Sequence, residues 1–453
     1  MTRPRPSGRA LAGLFAALVL TATAWAQAPA QSEEGRWVAT WGTALQVYVS
    51  PAPAPAPGGA PTPSLPAANP PAAAPTGPQR RFPVPANVAR VTNQTVRMVV
   101  RTSVAGRAVR LRLANAAGAA AVTFDAARIA LHAGDAAIQP GTDHPVTFGG
   151  MTSATLPGGG VLVSDPVHVP LPASSDLVVS LFARGDHRSP TNHRFGLRTA
   201  YLSSEGDHTA ALQIDPVAAT TENVLWLAGV DVLAPSGSAT LVTFGDSITD
   251  GDQSTPGSLN MWPRLLAARL QADHRTRHVG VVNAGISGNR LFGDNTSGVA
   301  RLQEHVLAVP GVAWMTLLIG INDITGATRG NPTTPTLTAE TLIAGYRQIL
   351  AQARLHDVKV IGCTLTPFGG SPVHTPAGEA LRAAINTWIR LSGEFDAVVD
   401  FDAATRDSNE PTRFRVEVDS PDLLHPGDSG YKLMAEAFDL TLFAAASKVP
   451  ATP

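Results

Sequence analysis

Ser247 stands in Gly245-Asp246-Ser247-Ile248-Thr249, just past the apolar run 241–244. A serine hydroxyl is a poor nucleophile near neutral pH and needs an adjacent base. Asp422-Leu423-Leu424-His425-Pro426 can supply one. An Asp three residues before a His, in a loop, can turn back and accept the imidazole Nδ1–H. Nε2 is then free to take the serine proton. Pro426 biases His425 toward extended backbone. An acyl transition state develops a negative oxygen, so fixed donors must surround it. Two further segments offer donors. In Asn283-Ala284-Gly285-Ile286-Ser287-Gly288-Asn289 the backbone N–H of Gly288 can approach a ligand with no side chain in the way. In Gly320-Ile321-Asn322-Asp323 the Asn322 carboxamide is a donor. Each piece alone is ordinary: a serine after a strand is usually a turn residue, and Asp-x-x-His is usually a surface loop. All four in this order describe a serine-dependent acyl transfer, although 245–249 is not the G-x-S-x-G elbow, because position 249 is Thr.

These segments need a frame that brings strand ends together. From residue 238 onward apolar strand-like runs (241–244, 278–282, 314–319, 359–363, 397–401) alternate with helix-like stretches (262–270, 299–307, 339–355, 378–389, 431–442). Such alternation predicts a doubly wound, flavodoxin-like parallel sheet covered on both faces, with ligands at the carboxyl ends of its strands. Asp428 or Ser429 is expected to cap the last helix. Asp246, Asn289 and His374 are candidates to line the substrate, with loop-tethering the simpler role for Asp246 and a solvated loop for His374. Asp250 and Asp252 could suggest a cation site, but a solvated turn is the expected reading, and neither a metal nor a cofactor is needed.

Residues 87–234 carry a different pattern. Val109-Arg110-Leu111-Arg112-Leu113 alternates with period two, three aliphatics on one face and two arginines on the other. Runs at 95–101, 161–169 and 177–182 are also strand-like, with Gly and Pro between them, which predicts an all-β sandwich or jelly roll. Residues 51–79 are rich in Pro and Ala and are expected to be a semi-rigid loop inside that domain. Trp226 and Trp262 are expected to be packing residues rather than sugar platforms. Residues 1–26 combine Arg3, Arg5 and Arg9 with an apolar stretch and Ala24-Trp25-Ala26, the pattern of a cleaved export signal. The expected organisation is therefore a signal peptide at 1–26, a β-sandwich domain at 27–235 and a catalytic domain at 236–447. The protein would be periplasmic or extracellular, with no stable membrane insertion after cleavage.

The 453-residue chain carries 34 Lys+Arg against 35 Asp+Glu, a balance that argues against nucleic acid as a partner. Its single cysteine, Cys363, rules out an intrachain disulfide and a Cys-rich metal site.

Gly245-Asp246-Ser247, Gly288, Gly320-x-Asn322-Asp323 and Asp422-x-x-His425 resemble, in order, the four blocks of the SGNH hydrolases, also called GDSL lipases/esterases. The resemblance covers residues 238 to about 445. Ile248 replaces the Leu of the family name, a change at the level of packing. Trp37-Val38-Ala39-Thr40-Trp41-Gly42 and the β-rich stretch resemble an extracellular subgroup with an N-terminal β-domain. The resemblance implies Ser247 as nucleophile, His425 as base then acid, and Asp422 as its orienting carboxylate. It implies an oxyanion hole from the Ser247 and Gly288 N–H groups and the Asn322 amide.

The expected function is an exported serine esterase acting on short-chain acyl esters, with O-acetylated carbohydrate a candidate substrate. The alternatives are a non-catalytic extracellular glycan-binding protein on the same fold, or a lipase, arylesterase or peptidoglycan O-acyl esterase using the same site. Acyl length, alcohol and oligomeric state are open at this level.

Overall fold

The computed structural model describes residues 1–2, 35–46, 79–328 and 337–444. The expected export signal, beyond its first two residues, and the Pro/Ala-rich stretch 51–78 lie outside the described residues. The described residues from Gly35 onward pack as one compact unit.

Two large antiparallel sheets and a two-stranded ribbon (192–193 with 224–225) build its β-rich part. The smaller joins β1 (Arg36–Gly42), β9 (Leu227–Ala234), β3 (Val109–Ala114) and β5 (Val161–Val163) in that order. The larger runs β8 (Val217–Thr221), β7 (Ala200–Glu205), β2 (Arg90–Arg101), β6 (Asp176–Arg188) and β4 (Val122–Gly134), with short strands pairing β4 beyond. The period-two pattern of β3 works as its side chains require. Val109, Leu111 and Leu113 are fully buried, while Arg110 and Arg112 turn to the other face and pair with buried Asp231 at 3.1 and 3.0 Å. Of the strand expected over 161–169, only Val161–Val163 is a strand. Trp226 is buried edge-on to Phe124, and Trp262 is buried against Phe401 and Phe438, so both are packing residues.

The α/β part is a five-stranded, wholly parallel sheet in the order β11 (Val279–Gly285), β10 (Ala239–Gly245), β12 (Val312–Leu318), β13 (Lys359–Cys363) and β14 (Ala397–Val399). All seven residues of β10 and of β11 are buried, which is why both read as continuous apolar runs rather than alternating ones. The helices are α1 (Ser247–Asp250), α2 (Trp262–Ala272), α3 (Gly298–Leu302), α4 (Ile321–Thr328), α5 (Ala339–Leu355), α6 (Pro376–Leu391), α7 (Phe401–Thr405) and α8 (Asp428–Glu436). Numbered along the sheet the strand order is 2-1-3-4-5, the flavodoxin-like order. It places a topological switch point between β10 and β12.

The elements differ from the sequence expectation mainly at their ends. Phe401 opens α7 rather than ending a strand, because the Asp400 side chain accepts the Ala403 N–H and caps a helix there. The helix expected over 299–307 is α for five residues and then a π-turn over Gln303–Leu307. Neither Asp428 nor Ser429 caps α8. Gly427 occupies the cap position, and the Asp428 carboxylate instead accepts Thr255 N–H and Asn260 Nδ2, both at 2.8 Å.

The two parts share hydrogen bonds through buried polar groups. Ala39 N–H donates to Thr240 Oγ1 and Pro310 O at 3.0 Å, and Val281 N–H donates to Ser103 Oγ at 2.9 Å. Among the described residues no helix is long and apolar enough to cross a membrane.

Candidate active site

The carboxyl end of β10 turns directly into α1. Asp246 caps that helix, its Oδ1 accepting Ile248 N–H at 3.1 Å, so Ser247 is held as the first helical residue at the strand end. His425 arrives from the loop before α8, where Leu423 adopts φ +58° to close the turn. Asp422 Oδ1 accepts the backbone N–H groups of Leu424 and His425 at 3.0 and 2.8 Å, and Oδ2 faces His425 Nδ1 at 2.7 Å. His425 Nε2 lies 2.9 Å from Ser247 Oγ. Three residues separated by up to 178 positions thus form one hydrogen-bonded chain, each member under a tenth exposed.

Charges tune that chain. Burial pushes the His425 pKa down, but the hydrogen bond to Asp422 and the charges of Asp252 and Asp422 outweigh it, so the imidazole lies above its ordinary value. Burial works against the Asp422 charge, yet the imidazole and two backbone N–H groups hold its carboxyl below the usual range.

Gly288 has φ +79° and an exposed position where an added Cβ would meet nothing, so its backbone conformation, not space, calls for glycine. Gly285 is the opposite case. A Cβ there would sit 2.3 Å from Asp250 N, because α1 crosses the end of β11 at backbone contact. Asn322, in the first turn of α4, donates one amide proton to Asn289 O at 3.0 Å, which leaves its second N–H for another acceptor. Asp323 accepts Leu291 N–H at 2.8 Å and Phe292 N–H at 3.2 Å, tying α4 to the loop after β11. Burial raises the Asp323 pKa to about 6.

The substrate-lining candidates fall differently. Asp246 is fully buried. Burial lifts its pKa to about 7, with the Ile248 N–H pulling the other way, and Oδ2 has no partner among the described residues. It is a capping residue, not a lining one. The Asn289 side chain is consumed: Nδ2 donates to Thr296 O at 2.7 Å and Oδ1 accepts Arg301 Nε at 2.9 Å. Its contribution is the backbone carbonyl that holds Asn322. His374 packs edge-on to Phe368 in the loop after β13, with Nε2 buried and unpartnered among the described residues.

The solvated turn expected at Asp250 and Asp252 is corrected outright, since they are only 1% and 3% exposed. Asp250 Oδ1 meets His193 Nε2 at 2.8 Å, while its Oδ2 accepts Ser287 N–H at 2.8 Å, beside Gly288. His193 also points Nδ1 at Ala44 O, 2.9 Å away, so a histidine of the β-rich part braces the loop that carries Gly288. Among the described residues no group of three or more His, Cys, Asp or Glu could hold a metal ion.

Arg301 is the functional residue that the sequence hid. In the middle of a helical run it reads as a surface side chain, yet it is 3% exposed and stacks 4.0 Å over the Phe244 ring. Its guanidinium donates to Gly245 O, Ala284 O and Asn289 Oδ1 at 2.7–2.9 Å. Burial lowers its pKa to about 9, still charged at neutral pH. One cation therefore clamps the carboxyl ends of β10 and β11 and the loop between them and α3.

Residues 243–433 match the model of the GDSL-like Lipase/Acylhydrolase family. That segment is a GDSL-like lipase/acylhydrolase domain, and it makes the protein a carboxylic ester hydrolase. Several solved structures are similar over 44–45% of the chain. An acetylxylan esterase from Geobacillus stearothermophilus is 23% identical, with 45% of this chain and 93% of that one covered and a TM-score of 0.35. An α/β hydrolase from the metagenome of Lake Arreo, Spain, is 22% identical, with 45% and 95% covered and a TM-score of 0.36. A GDSL-like lipase from Bacteroides thetaiotaomicron is 18% identical, with 44% and 84% covered and a TM-score of 0.32. No curated protein matches the chain.

Proposed function

We propose that the protein is an exported serine esterase that hydrolyses short-chain acyl esters through a Ser247–His425–Asp422 triad. The observation that carries this reading is the hydrogen-bonded chain Asp422–His425–Ser247 at the carboxyl end of β10, at 2.7 and 2.9 Å. Ser247 Oγ attacks the ester carbonyl carbon while its proton passes to His425 Nε2. The tetrahedral oxyanion is held by the Ser247 and Gly288 N–H groups and the second Asn322 amide proton. The ester C–O bond then breaks, and the alcohol leaves with the proton from Nε2. Water, deprotonated by the same nitrogen, releases the carboxylic acid and restores the serine.

Export rests on the N-terminal sequence pattern, and the site then faces a periplasmic or extracellular substrate. We take the β-rich part (27–235) as an N-terminal domain and 236–447 as the catalytic domain. O-acetylated carbohydrate remains the favoured substrate class over triglyceride. A panel of acetyl, butyryl and long-chain esters with acetylated xylan and pectin ranks them by kcat/KM.

A fluorophosphonate probe is expected to label the folded protein at Ser247, read by mass spectrometry of the modified peptide. Absence of labelling and of p-nitrophenyl acetate hydrolysis would favour the non-catalytic glycan-binding reading. Asn322→Ala is expected to lower kcat by about 10²–10³ with a smaller change in KM, because its free N–H is needed most when charge sits on the oxyanion. An equal rise in KM with kcat unchanged would assign Asn322 to substrate binding instead.

A further inference from the structure

A segment far outside the family-matched region reaches the candidate site. Residues 79–82 run along its rim. Arg81 N–H donates to Gln253 Oε1 at 2.6 Å, Gln253 Nε2 donates to Phe82 O at 3.0 Å, and the Arg81 guanidinium forks onto Asp419 at 2.9 and 3.0 Å. This docking delivers the Arg80 guanidinium to Asp252 Oδ1, an ion pair in which the carboxylate side chain is 4% exposed and the arginine 31%. The other carboxylate oxygen, Oδ2, lies 3.7 Å from His425 Nε2, the nitrogen that faces Ser247, and 3.5 Å from Ser287 Oγ. The Asp252 backbone is pinned at both ends: its N–H donates to Ser247 O at 3.0 Å and its carbonyl accepts the Tyr431 phenol at 2.6 Å.

We propose, building on the reading of His425 as general base, that Asp252 is a second positioning carboxylate for that imidazole and that Arg80 sets how strongly it acts. When the serine proton moves to Nε2, the ring gains a full positive charge in a pocket that water scarcely enters. Asp422 compensates that charge on the Nδ1 side, and Asp252 does so on the Nε2 side. A carboxylate this close, poorly screened by solvent, stabilises the cation. Arg80 holds the carboxylate in place and at the same time subtracts from its field. Two other titratable groups nearby have other duties: Asp246 caps α1 beneath the serine, and the Tyr431 hydroxyl is spent on the Asp252 carbonyl. The direction of the His425 pKa agrees, with Asp252 raising it and Arg80 lowering it. A rim segment from the β-rich part therefore acts on a triad whose three members all come from the α/β part.

The two roles predict shifts of opposite sign, which a merely structural contact does not. The test follows the His425 imidazole by NMR titration in wild type, Asp252→Asn and Arg80→Gln, alongside the pH dependence of kcat/KM. Asp252→Asn is expected to lower the imidazole midpoint by about half to one pH unit, a 3- to 10-fold weaker hold on the proton. Arg80→Gln, at the part-exposed rim, is expected to raise it by about half a unit. The acid limb of kcat/KM should move with each. An unchanged or raised midpoint in Asp252→Asn, or an unchanged or lowered one in Arg80→Gln, overturns the proposal. If Asp252→Asn fails to fold by circular dichroism, Arg80→Gln decides alone. The NMR midpoint needs no turnover. Midpoints that shift as expected while the kcat/KM profile stays put would count against His425 as base and leave the Asp252 contact standing.

Discussion

Ser247→Ala is expected to abolish almost all ester hydrolysis, lowering kcat by about 10⁴ to 10⁶ with the fold intact. Among the described residues the hydroxyl has one hydrogen-bond partner, His425 Nε2 at 2.9 Å, and its removal leaves a methyl group at a position only 5% exposed. Among the described residues nothing nearby can replace it as nucleophile at that point: Ser287 Oγ is directed at Asp252, and Thr249 is fully buried. The oxyanion donors remain, so a small rate above the uncatalysed one should survive. Ester affinity should change little, because the lost atom does its work in the transition state. The measurement is single-turnover and steady-state hydrolysis of p-nitrophenyl acetate, with far- and near-UV circular dichroism on the same sample. Hydrolysis within tenfold of wild type in the folded variant would remove the basis for a covalent mechanism.

The second large effect belongs to Asp422. Asp422→Asn is expected to cost about 10⁴ in kcat. Its carboxylate accepts three N–H groups: Leu424, His425 and the imidazole Nδ1–H. An asparagine can keep its oxygen on the two backbone donors, which preserves the loop. Its amide nitrogen then faces Nδ1 and donates, so the ring must carry its proton on Nε2, the nitrogen that should be empty to accept from Ser247. The pH dependence has a definite sign. The wild-type His425 lies above the ordinary imidazole value because Asp422 and Asp252 stabilise the cation, so activity should fall as pH drops through a midpoint above that value. Losing the Asp422 charge removes one of the raising causes, and the midpoint should move down. A kcat/KM profile that keeps its midpoint, with a loss below tenfold, would show that another group orients the imidazole.

Both predictions concern residues that the sequence exposes through local chemistry. Continuous apolar runs mark β10 and β11 because both faces of those strands are covered, and each run ends abruptly in polar residues. An Asp three residues before a His is a contact made within one turn, so its spacing is visible without any tertiary information. Gly288 is legible for a similar reason: a positive φ is a property of one residue. The strand–helix alternation then implies a parallel sheet and brings the strand ends to one edge.

Burial and long-range pairing are not local, and there the sequence misleads. Asp250 and Asp252 look like a solvated turn because charged residues next to glycine usually are. Here α1 crosses the end of β11 at backbone contact, and the β-rich part closes over the turn, so each buried carboxylate must find a partner: the buried His193 for one, the part-exposed Arg80 for the other. Arg301 sits among helical residues and carries no sign of the three acceptors that await it. Asp246 and Asn289 were legible as polar residues at a site, but whether such a side chain faces substrate or its own backbone depends on atoms contributed by other segments. The amino-acid sequence by itself determined which residues could do the chemistry and the order of strands that would carry them. Only the tertiary structure decided which charges are buried together. Desolvation and pairing arise from the packing of distant segments, and no window of neighbouring residues contains that information.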